Sequence, residues 1–331
     1  MNHPRLLITL GDVAGIGPEI VARAWPQLVR QARPVVVGDP DWVERGIRLA
    51  GTSAQVQAVS RVADATPGEG VIPVLSATTA NLKDVVTGRV SAAAGQAAYD
   101  FLCKAIDLTM AGEADGIVTC PLHKEGLHAA GVHHPGHTEI LAERTGTKEF
   151  AMVLWGDGIA VAHVTLHIAL RDVFAGLTSA GVLEKVRLLN GLLSMLLDRK
   201  PRIGVAALNP HASDGGLFGD EEARIIAPAV SAGIAEGIDV SGPWPADTLF
   251  VRAHKGGFDG IVAMYHDEGH IAMKLRCGPR CVNITVGLPI VRTSVAHGTA
   301  YDIAGKGVAD AGSLVTAADV ASRLAAAQPI R

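Results

Sequence analysis

The chain has 331 residues, of which 48% are hydrophobic and 4% aromatic, and its formal net charge is −4. This apolar content excludes a chain that is disordered throughout, and the lack of a basic stripe with interleaved aromatic residues argues against nucleic acid as a partner. The apolar runs are too short and too interrupted for a membrane span. The strand-like segment that starts at Leu6 leaves no room for a signal peptide, so we expect a cytoplasmic protein.

In chain order, apolar segments of strand length alternate with Ala- and Leu-rich segments of helical length. The predicted strands are Leu6–Leu10, Val35–Val37, Ile72–Leu75, Gly116–Thr119, Ala151–Trp155, Ile159–His167, Ile203–Leu208, Gly260–Tyr265 and Val282–Val286. The longest predicted helices are Ala92–Ala111, Val182–Leu197, Glu221–Glu236 and Ala317–Ala327. This alternation predicts an α/β fold made of parallel β-α-β units. The short "GDG" segment between the fifth and sixth predicted strands indicates an antiparallel hairpin.

A glycine-rich turn follows the first predicted strand in "ITLGDVAGIGPEI". Gly15 and Gly17 supply G-x-G, but Ile20 occupies the third glycine position of the dinucleotide-binding fingerprint. No G-K-[ST] follows, so the segment is not a Walker loop either. Pro18 and Glu19 are typical of the first turn of a helix. The pattern alone predicts a tight turn at the mouth of a crevice.

Three predicted strands are each followed by a histidine: His167, His211 or His266. The carboxyl ends of parallel strands meet at one edge of a sheet, and three imidazoles are a common ligand set for a divalent first-row metal. The alternative is that each histidine only caps a strand or bonds a nearby carbonyl. The repeated context favours a metal site, with Asp267 either orienting a ligand or binding substrate. His163, deeper on the same face of its strand, is predicted to be a core histidine.

Other polar residues at turns and strands are candidates for anion binding. His137 and Thr138 precede a predicted helix whose N-terminus would suit a phosphate, although a Thr there is equally explained as the N-cap. Lys274, Asn283 and Arg292 lie on otherwise apolar segments near the third histidine. Lys and Arg beside a metal suit the binding of carboxylate or phosphate, whereas each alone is explained as a solvated surface group.

Motifs along the chain together resemble the 4-phosphohydroxy-L-threonine dehydrogenase family of vitamin B6 biosynthesis. The matching segments are "GDVAGIGPE", "PLHKE", "GHTE", "HVTLHIALRD", "LNPHASDGG", "GPWPADTLF", "MYHDEGH" and "VNITVGLPIVRTSVAHGTAYDIAGKG". They extend from Gly11 to beyond Gly307, so the resemblance covers essentially the whole chain. It departs from the family at Leu10 and Val13, where prolines are common, and at Cys120, where glycine is frequent.

The resemblance implies a three-layer α/β/α fold similar to that of isocitrate and isopropylmalate dehydrogenases, with residues 1–331 forming a single catalytic unit. Two lobes with a central cleft are expected, one of residues 1–130 and 285–331 on the cofactor side and one of residues 131–284 on the metal and dimer side. The family also implies a homodimer whose active site takes one metal histidine from the partner subunit.

The family's functional residues carry over motif by motif. The metal ligands fall on His167, His211 and His266, and the substrate contacts on His137, Thr138, Lys274, Asn283 and Arg292. "HGTAYDIAGKG" resembles the cofactor loop of isocitrate and isopropylmalate dehydrogenases, which assigns cofactor contacts to His297, Gly298, Asp302 and Gly305. The candidates for proton transfer are Asp247, Lys124 and Asp267. Asp247 has an alternative role as the N-cap of a helix that begins at Thr248.

The implied reaction is the NAD- or NADP-dependent oxidation and decarboxylation of 4-phosphohydroxy-L-threonine, with Zn²⁺, Mg²⁺ or Co²⁺ as a Lewis acid. "HDEGHIAMK", which contains His270, is more similar to a branch of the family that oxidises 4-phospho-D-threonate and 4-phospho-D-erythronate in sugar-acid catabolism. Another branch oxidises a dihydrodiol of terephthalate but departs from "GHTE", and the retention of "GHTE" here favours a phosphorylated substrate. A non-catalytic, metal-binding homologue is the remaining alternative.

Overall fold

The computed structural model describes residues 3–197 and 199–327, which fold as an α/β protein. The strands are β1 (Arg5–Thr9), β2 (Arg33–Gly38), β3 (Gln55–Val59), β4 (Val71–Ser76), β5 (Gly116–Thr119), β6 (Ala151–Gly156), β7 (Ile159–His163), β8 (Ile203–Ala206), β9 (Val240–Trp244), β10 (Gly260–Ala263), β11 (Val282–Val286) and β12 (Val291–Val295).

The α-helices are α1 (Gly17–Gln31), α2 (Pro40–Ala50), α3 (Ala92–Met110), α4 (Lys124–Ala129), α5 (His137–Thr145), α6 (Val173–Gly176), α7 (Ser179–Leu196), α8 (Ala227–Ala235), α9 (Ala246–His254), α10 (His266–Cys277) and α11 (Gly312–Ala327). No helix among the described residues is long and apolar enough to cross a membrane.

These elements divide between two compact units. Unit 1 consists of two segments, one that ends at Lys148 and one that begins at Leu288. Unit 2 is the single segment Glu149–Gly287. The sequence-based lobes change at residues 131 and 285 instead, and their assignment to cofactor and metal stays a prediction.

Unit 1 contains strands in the order β3-β4-β2-β1-β5-β12, and each neighbouring pair is parallel. β1 is central, with Ile8 opposite Val36 on one side and Val118 on the other. Leu6, Leu7 and Ile8 are completely buried, because a central parallel strand is covered on both faces by helices. This is why the segment is a continuous apolar run rather than an alternating one.

Unit 2 contains strands in the order β11-β6-β7-β10-β8-β9. The β11–β6 and β6–β7 pairs are antiparallel, and the remaining pairs are parallel. The predicted hairpin is confirmed, with Trp155 opposite Ala160. Its turn residues Asp157 and Gly158 have φ values of +47° and +79°, as the tight turns preferred between twisted antiparallel strands require.

The structure corrects several predicted bounds. The strands predicted as Ile159–His167, Ile203–Leu208 and Gly260–Tyr265 end earlier, at His163, Ala206 and Ala263. β3, β9 and β12 were not predicted at all. The segment predicted as one helix, Glu221–Glu236, begins as a π-helical turn over Glu222–Ile226 before α8.

Candidate active site

Two of the three strand-end histidines lie side by side in unit 2. His167 comes four residues after the end of β7, and His266 is the first residue of α10, shortly after β10. Because β7 and β10 are parallel neighbours, their carboxyl ends bring the two imidazole rings to a centroid distance of 5.9 Å. This is the convergence that the sequence pattern predicted for these two residues.

A hydrogen bond and a ring stack fix the orientation of His266. Its Nδ1 lies 2.6 Å from Oδ1 of Asp267, so the other ring nitrogen, Nε2, is the one that faces away from the carboxylate. The ring of His270 stacks on it at 3.7 Å with an interplanar angle of 11°. A carboxylate that orients a histidine in this way is typical of metal-ligating imidazoles.

His270 and His163 extend this pair into a row of four histidines. Nδ1 of His270 lies 3.2 Å from Nε2 of His163 and 3.1 Å from the carbonyl oxygen of His266. His163 is 1% exposed, as predicted for a core histidine. Burial, together with the neighbouring imidazoles, lowers the pKa of His270 to about 4 and that of His163 to about 3.

His211 lies apart from this pair within the chain. It begins a run of residues with positive φ after β8, and its nearest ring neighbour is Phe218, at 6.2 Å. Within residues 3–197 and 199–327, no three His, Cys, Asp or Glu side chains group as a metal site. Within the described part of one chain, His167 and His266 are paired and His211 does not group with them.

His211 instead lines a cavity of about 620 Å³ together with Asp247, Tyr265, Asp267 and Glu268. Tyr265 and Asp267 also line a second cavity of about 290 Å³, which contains His167 and His266. The two cavities therefore share Tyr265 and Asp267 in their linings, while His211 lines one of them and His167 and His266 line the other.

Two of the candidates for proton transfer, Asp247 and Asp267, line the larger cavity. The alternative that Asp247 is the N-cap of a helix beginning at Thr248 is wrong, because α9 begins at Ala246 and its N-cap is Pro245. The side chain of Asp247 is exposed and accepts a hydrogen bond from the backbone N–H of Thr248 at 2.8 Å. Lys124, the third candidate, is the exposed first residue of α4 in unit 1.

The residues of unit 1 that were predicted to bind phosphate lie on α5 and β12. His137 and Thr138 are the first two residues of α5, whose N-cap is Gly136, so Thr138 is not the N-cap. Burial and the charge of Arg292 lower the pKa of His137 well below its usual value. Arg292 is 3% exposed, and its guanidinium donates a hydrogen bond to Oγ1 of Thr119 at 2.7 Å.

Burial has the largest effect on the pKa of Arg292. It lowers the pKa of the guanidinium to about 9, although the charge of Glu139 acts in the opposite direction. A neutral imidazole and a buried guanidinium next to a helix N-terminus form an arrangement that favours an anion.

The two predicted substrate residues of unit 2 have different exposures. Lys274 is exposed in the last turn of α10, and Asn283 is half-buried in β11.

The predicted cofactor loop follows β12 in unit 1. Nδ1 of His297 lies 3.0 Å from the carbonyl oxygen of Gly298, while its Nε2 is buried and has no hydrogen-bond partner within the described part of the chain. Gly305 has a φ of +77° and donates its N–H to Glu19 at 3.2 Å. Asp302 is exposed. A buried nitrogen without a partner is consistent with a position that contacts a ligand.

Sequence reasoning missed a buried cluster around Asp12. The carboxylate accepts hydrogen bonds from the hydroxyl of Tyr301 at 2.6 Å and from the N–H of Ala14 at 2.8 Å. Burial nevertheless raises its pKa, and the ring of Tyr301 stacks on His123 at 4.7 Å. Asp12 immediately follows the apolar β1 segment and Gly11, and this position at a strand end is the signal that was available.

Glu268 was also missed, although it lies two residues after His266. Burial raises the pKa of this carboxyl to about 7, and it accepts a hydrogen bond from the N–H of Met264 at 2.5 Å.

The sequence matches the family model described as "Pyridoxal phosphate biosynthetic protein PdxA" over residues 30–321. A 4-hydroxythreonine-4-phosphate dehydrogenase of Beijerinckia indica is 48% identical over 99% of this chain and 97% of the relative. A D-threonate 4-phosphate dehydrogenase of Salmonella typhimurium is 43% identical over 98% of this chain and 100% of the relative. The crystal structure of a 4-hydroxythreonine-4-phosphate dehydrogenase from Klebsiella pneumoniae, 40% identical, superimposes with a TM-score of 0.88 over 98% of both chains. The chain therefore belongs to the family of the pyridoxal phosphate biosynthetic protein PdxA.

Proposed function

We propose that the chain is a divalent-metal-dependent NAD(P) dehydrogenase that oxidises and decarboxylates a 4-phosphorylated hydroxy acid of the 4-phosphohydroxy-L-threonine type. The observation that carries the proposal is the pairing of His167 with His266, 5.9 Å apart, beside the carboxylate of Asp267. Paired imidazoles with an orienting carboxylate suit a divalent first-row metal such as Zn²⁺ or Co²⁺. The dehydrogenase names of the relatives support the reaction class.

In this proposal His167 and His266 hold the metal, Zn²⁺, Co²⁺ or Mg²⁺, and His211 comes from a partner subunit. When bound, a divalent cation stabilises negative charge that develops on the substrate oxygens. Close to His211 in sequence, Leu217 and Phe218 are 74% and 46% exposed. Large apolar side chains with this exposure are typical of a surface that binds another protein, which supports a homodimer that shares its histidines.

Arg292 and His137, with Thr138, would bind the phosphate of the substrate. The neutral imidazole of His137 would donate one hydrogen bond, and the guanidinium would offer two parallel N–H groups to the phosphate oxygens. Lys274 and Asn283 would contact the rest of the substrate. Contacts remote from the reacting carbon position the substrate and so lower the entropic barrier.

Asp267 and Asp247 are two candidates for the base: Asp267 contacts the proposed ligand His266, and Asp247 lines a cavity with His211 of its own chain. One carboxylate would take the proton of the substrate hydroxyl while hydride leaves the same carbon. The β-keto acid formed would then lose CO₂, and the carbanion would be protonated by the acid form of such a group. Lys124 stays a third candidate.

The nicotinamide cofactor, NAD or NADP, would bind at the loop of His297, Gly298, Asp302 and Gly305 and accept the hydride. The buried Nε2 of His297 supports this assignment. The same proposal includes the isocitrate dehydrogenase-like layering, with unit 1 on the cofactor side and unit 2 on the metal and dimer side.

The oxidation of 4-phospho-D-threonate or 4-phospho-D-erythronate is the second candidate. The observation that favours it is His270, which stacks directly on the proposed ligand His266, since a histidine at this position resembles the catabolic branch. The 43% identity to a D-threonate 4-phosphate dehydrogenase points in the same direction.

The experiment is to measure reduced nicotinamide by its absorbance with the three 4-phosphorylated acids, with NAD⁺ or NADP⁺, and with Zn²⁺, Co²⁺ or Mg²⁺. We expect turnover of at least one acid, abolished by a chelator and restored by metal. A dihydrodiol of terephthalate is the unphosphorylated comparison, and preference for it would contradict the proposal. No turnover of any acid would favour a non-catalytic homologue.

Replacing His211 tests the shared metal site directly. We expect His211→Ala to abolish tight metal binding and turnover without changing the fold, because it removes one imidazole ligand. Circular dichroism checks the fold, and dilution of the wild-type protein checks whether specific activity falls as dimers dissociate. Wild-type turnover in the variant would contradict the metal assignment.

A further inference from the structure

The backbone that carries His211 adopts a rare conformation. Five successive residues, His211, Ala212, Ser213, Asp214 and Gly215, have φ values of +54°, +55°, +67°, +48° and +71°. Four of them have side chains, and each L-residue in the left-handed region costs about 1–2 kcal/mol. Such a turn persists only if its surroundings hold it, and strained backbone of this kind clusters at functional sites.

The carboxylate of Glu222 is the group that holds the turn. Its Oε1 accepts hydrogen bonds from the backbone N–H groups of Leu208, at 2.8 Å, and Asn209, at 2.7 Å. Its Oε2 accepts from Nδ2 of Asn209, at 3.0 Å, and from the hydroxyl of Ser213. Glu222 is only 4% exposed, so these charge-assisted bonds form away from water, where they are strong.

These bonds bracket His211 from both sides. Asn209 lies two residues before it and Ser213 two residues after it, and both are attached to one carboxylate. Glu222 itself belongs to the π-helical turn Glu222–Ile226, a local irregularity that is frequent at functional sites. A single side chain thus fixes both ends of the short segment that presents His211 to the cavity.

We propose that Glu222 is the positioning residue of His211: it holds the left-handed turn in the conformation that presents this imidazole for metal binding. The inference rests on the proposed function, because it takes His211 as a metal ligand. Glu222 is not a catalytic residue, since it acts only through the backbone of Leu208 and Asn209 and the side chains of Asn209 and Ser213. The neighbouring Glu221 contributes less, because it accepts only from Nδ2 of Asn209.

The test compares Glu222→Ala and Glu222→Gln with His211→Ala and with the control Glu236→Gln. Glu236 lies in the same unit and pairs with Arg187 on the surface, so its replacement removes a bound carboxylate elsewhere. The first measurement is the affinity for Zn²⁺, by competition with a chromophoric chelator. The second is hydrogen exchange of the peptide covering residues 208–218, which reports the amides of Leu208 and Asn209 without any metal.

We expect Glu222→Ala to weaken Zn²⁺ binding on the order of 10- to 100-fold, as removal of an orienting partner does, and to speed exchange in 208–218. Glu222→Gln keeps an amide oxygen in place of Oε1, so it can still accept from Leu208 and Asn209. It should therefore restore most of the protection and part of the affinity. Glu236→Gln should match the wild type in both measurements.

Unchanged Zn²⁺ affinity or unchanged exchange in Glu222→Ala would overturn the proposal. If that variant does not fold, Glu222→Gln decides, because it should still weaken Zn²⁺ binding and speed exchange in 208–218. A different result marks failure of the proposed function itself: His211→Ala would then bind Zn²⁺ as tightly as the wild type. In that case the exchange data alone establish whether Glu222 holds the turn.

Discussion

Two of the buried charged side chains, Asp259 in unit 2 and Arg292 in unit 1, lie in opposite electrostatic surroundings. In unit 2, Asp259 is 6% exposed and accepts two hydrogen bonds from the guanidinium of Arg199, at 2.7 and 2.6 Å, and one from the N–H of Arg202, at 2.8 Å. In unit 1, Arg292 is 3% exposed, and burial lowers its pKa to about 9 against the opposing effect of Glu139.

The two residues show how a charge that stabilises the fold differs from a charge that is available to bind a ligand. The bonds from Arg199, the largest cause, hold the pKa of Asp259 far below its usual value, so the fold favours its charged form. The surroundings of Arg292 instead disfavour its charged form and lower its pKa, and an anion that binds beside it would stabilise that charge. Groups with pKa values displaced in this direction are candidates for binding or catalysis.

The largest expected effect comes from replacing Arg292. Arg292→Met keeps the volume but removes the charge that the phosphate would meet. We expect the stabilisation of the transition state to fall by about 2–5 kcal/mol, which lowers kcat/KM for the phosphorylated acid roughly 30- to 5,000-fold. The melting temperature should stay the same or rise, because burying a charge costs free energy that an apolar side chain of similar volume avoids. Steady-state kinetics and thermal unfolding check the two expectations.

Arg292→Lys is the matched control. It keeps the charge and loses the planar fork, so its kcat/KM should lie between those of the wild type and Arg292→Met. A clear drop in melting temperature together with unchanged kcat/KM in Arg292→Met would contradict this expectation. It would show that Arg292 stabilises the fold and does not bind the substrate.

The opposite result is expected for Asp259. Asp259→Asn removes the charge that two arginines surround, and we expect the free energy of unfolding to fall by about 1.5–3 kcal/mol, the range for hydrogen bonds to a charged group. kcat/KM measured well below the melting temperature should not change. Denaturant unfolding of Glu69→Gln gives the scale for an exposed pair, since Arg30 and Glu69 are both more than 60% exposed and such pairs contribute at most about 1 kcal/mol.

Apolar patterning predicted the parallel core and the hairpin but not every strand. β12 reads Val-Arg-Thr-Ser-Val, yet all five residues are buried, because Arg292 bonds to Thr119 and the hydroxyl of Thr293 donates to the carbonyl of Ala317. Those partners are 173 and 24 residues away along the chain. β9 contains Gly242 and Pro243, residues that argue against a strand unless it lies at an edge, as β9 does.

The site was predictable where one sheet edge brings residues together. His167 and His266 converge because their strands are parallel neighbours. Glu222 was not predictable as a partner of the His211 turn, because it lies thirteen and fourteen residues from the two amides that it binds. It also belongs to a π-helical turn, which the sequence pattern did not indicate. Strand order and helix irregularities are properties of the folded chain rather than of local sequence.

The smallest expected effect is the acid dependence of stability that Asp259 produces. The folded pKa of this carboxyl is lowered, so its contribution is complete above the unfolded value of about 3.9 and is lost as the pH falls toward the folded value. The difference in free energy of unfolding between the wild type and Asp259→Asn should therefore be constant from pH 5 to pH 7 and shrink below about pH 4. Urea unfolding at a series of pH values checks this. A difference that stays constant down to pH 3 would mean that the asparagine loses packing or geometry rather than charge, which would remove the electrostatic contrast between Asp259 and Arg292.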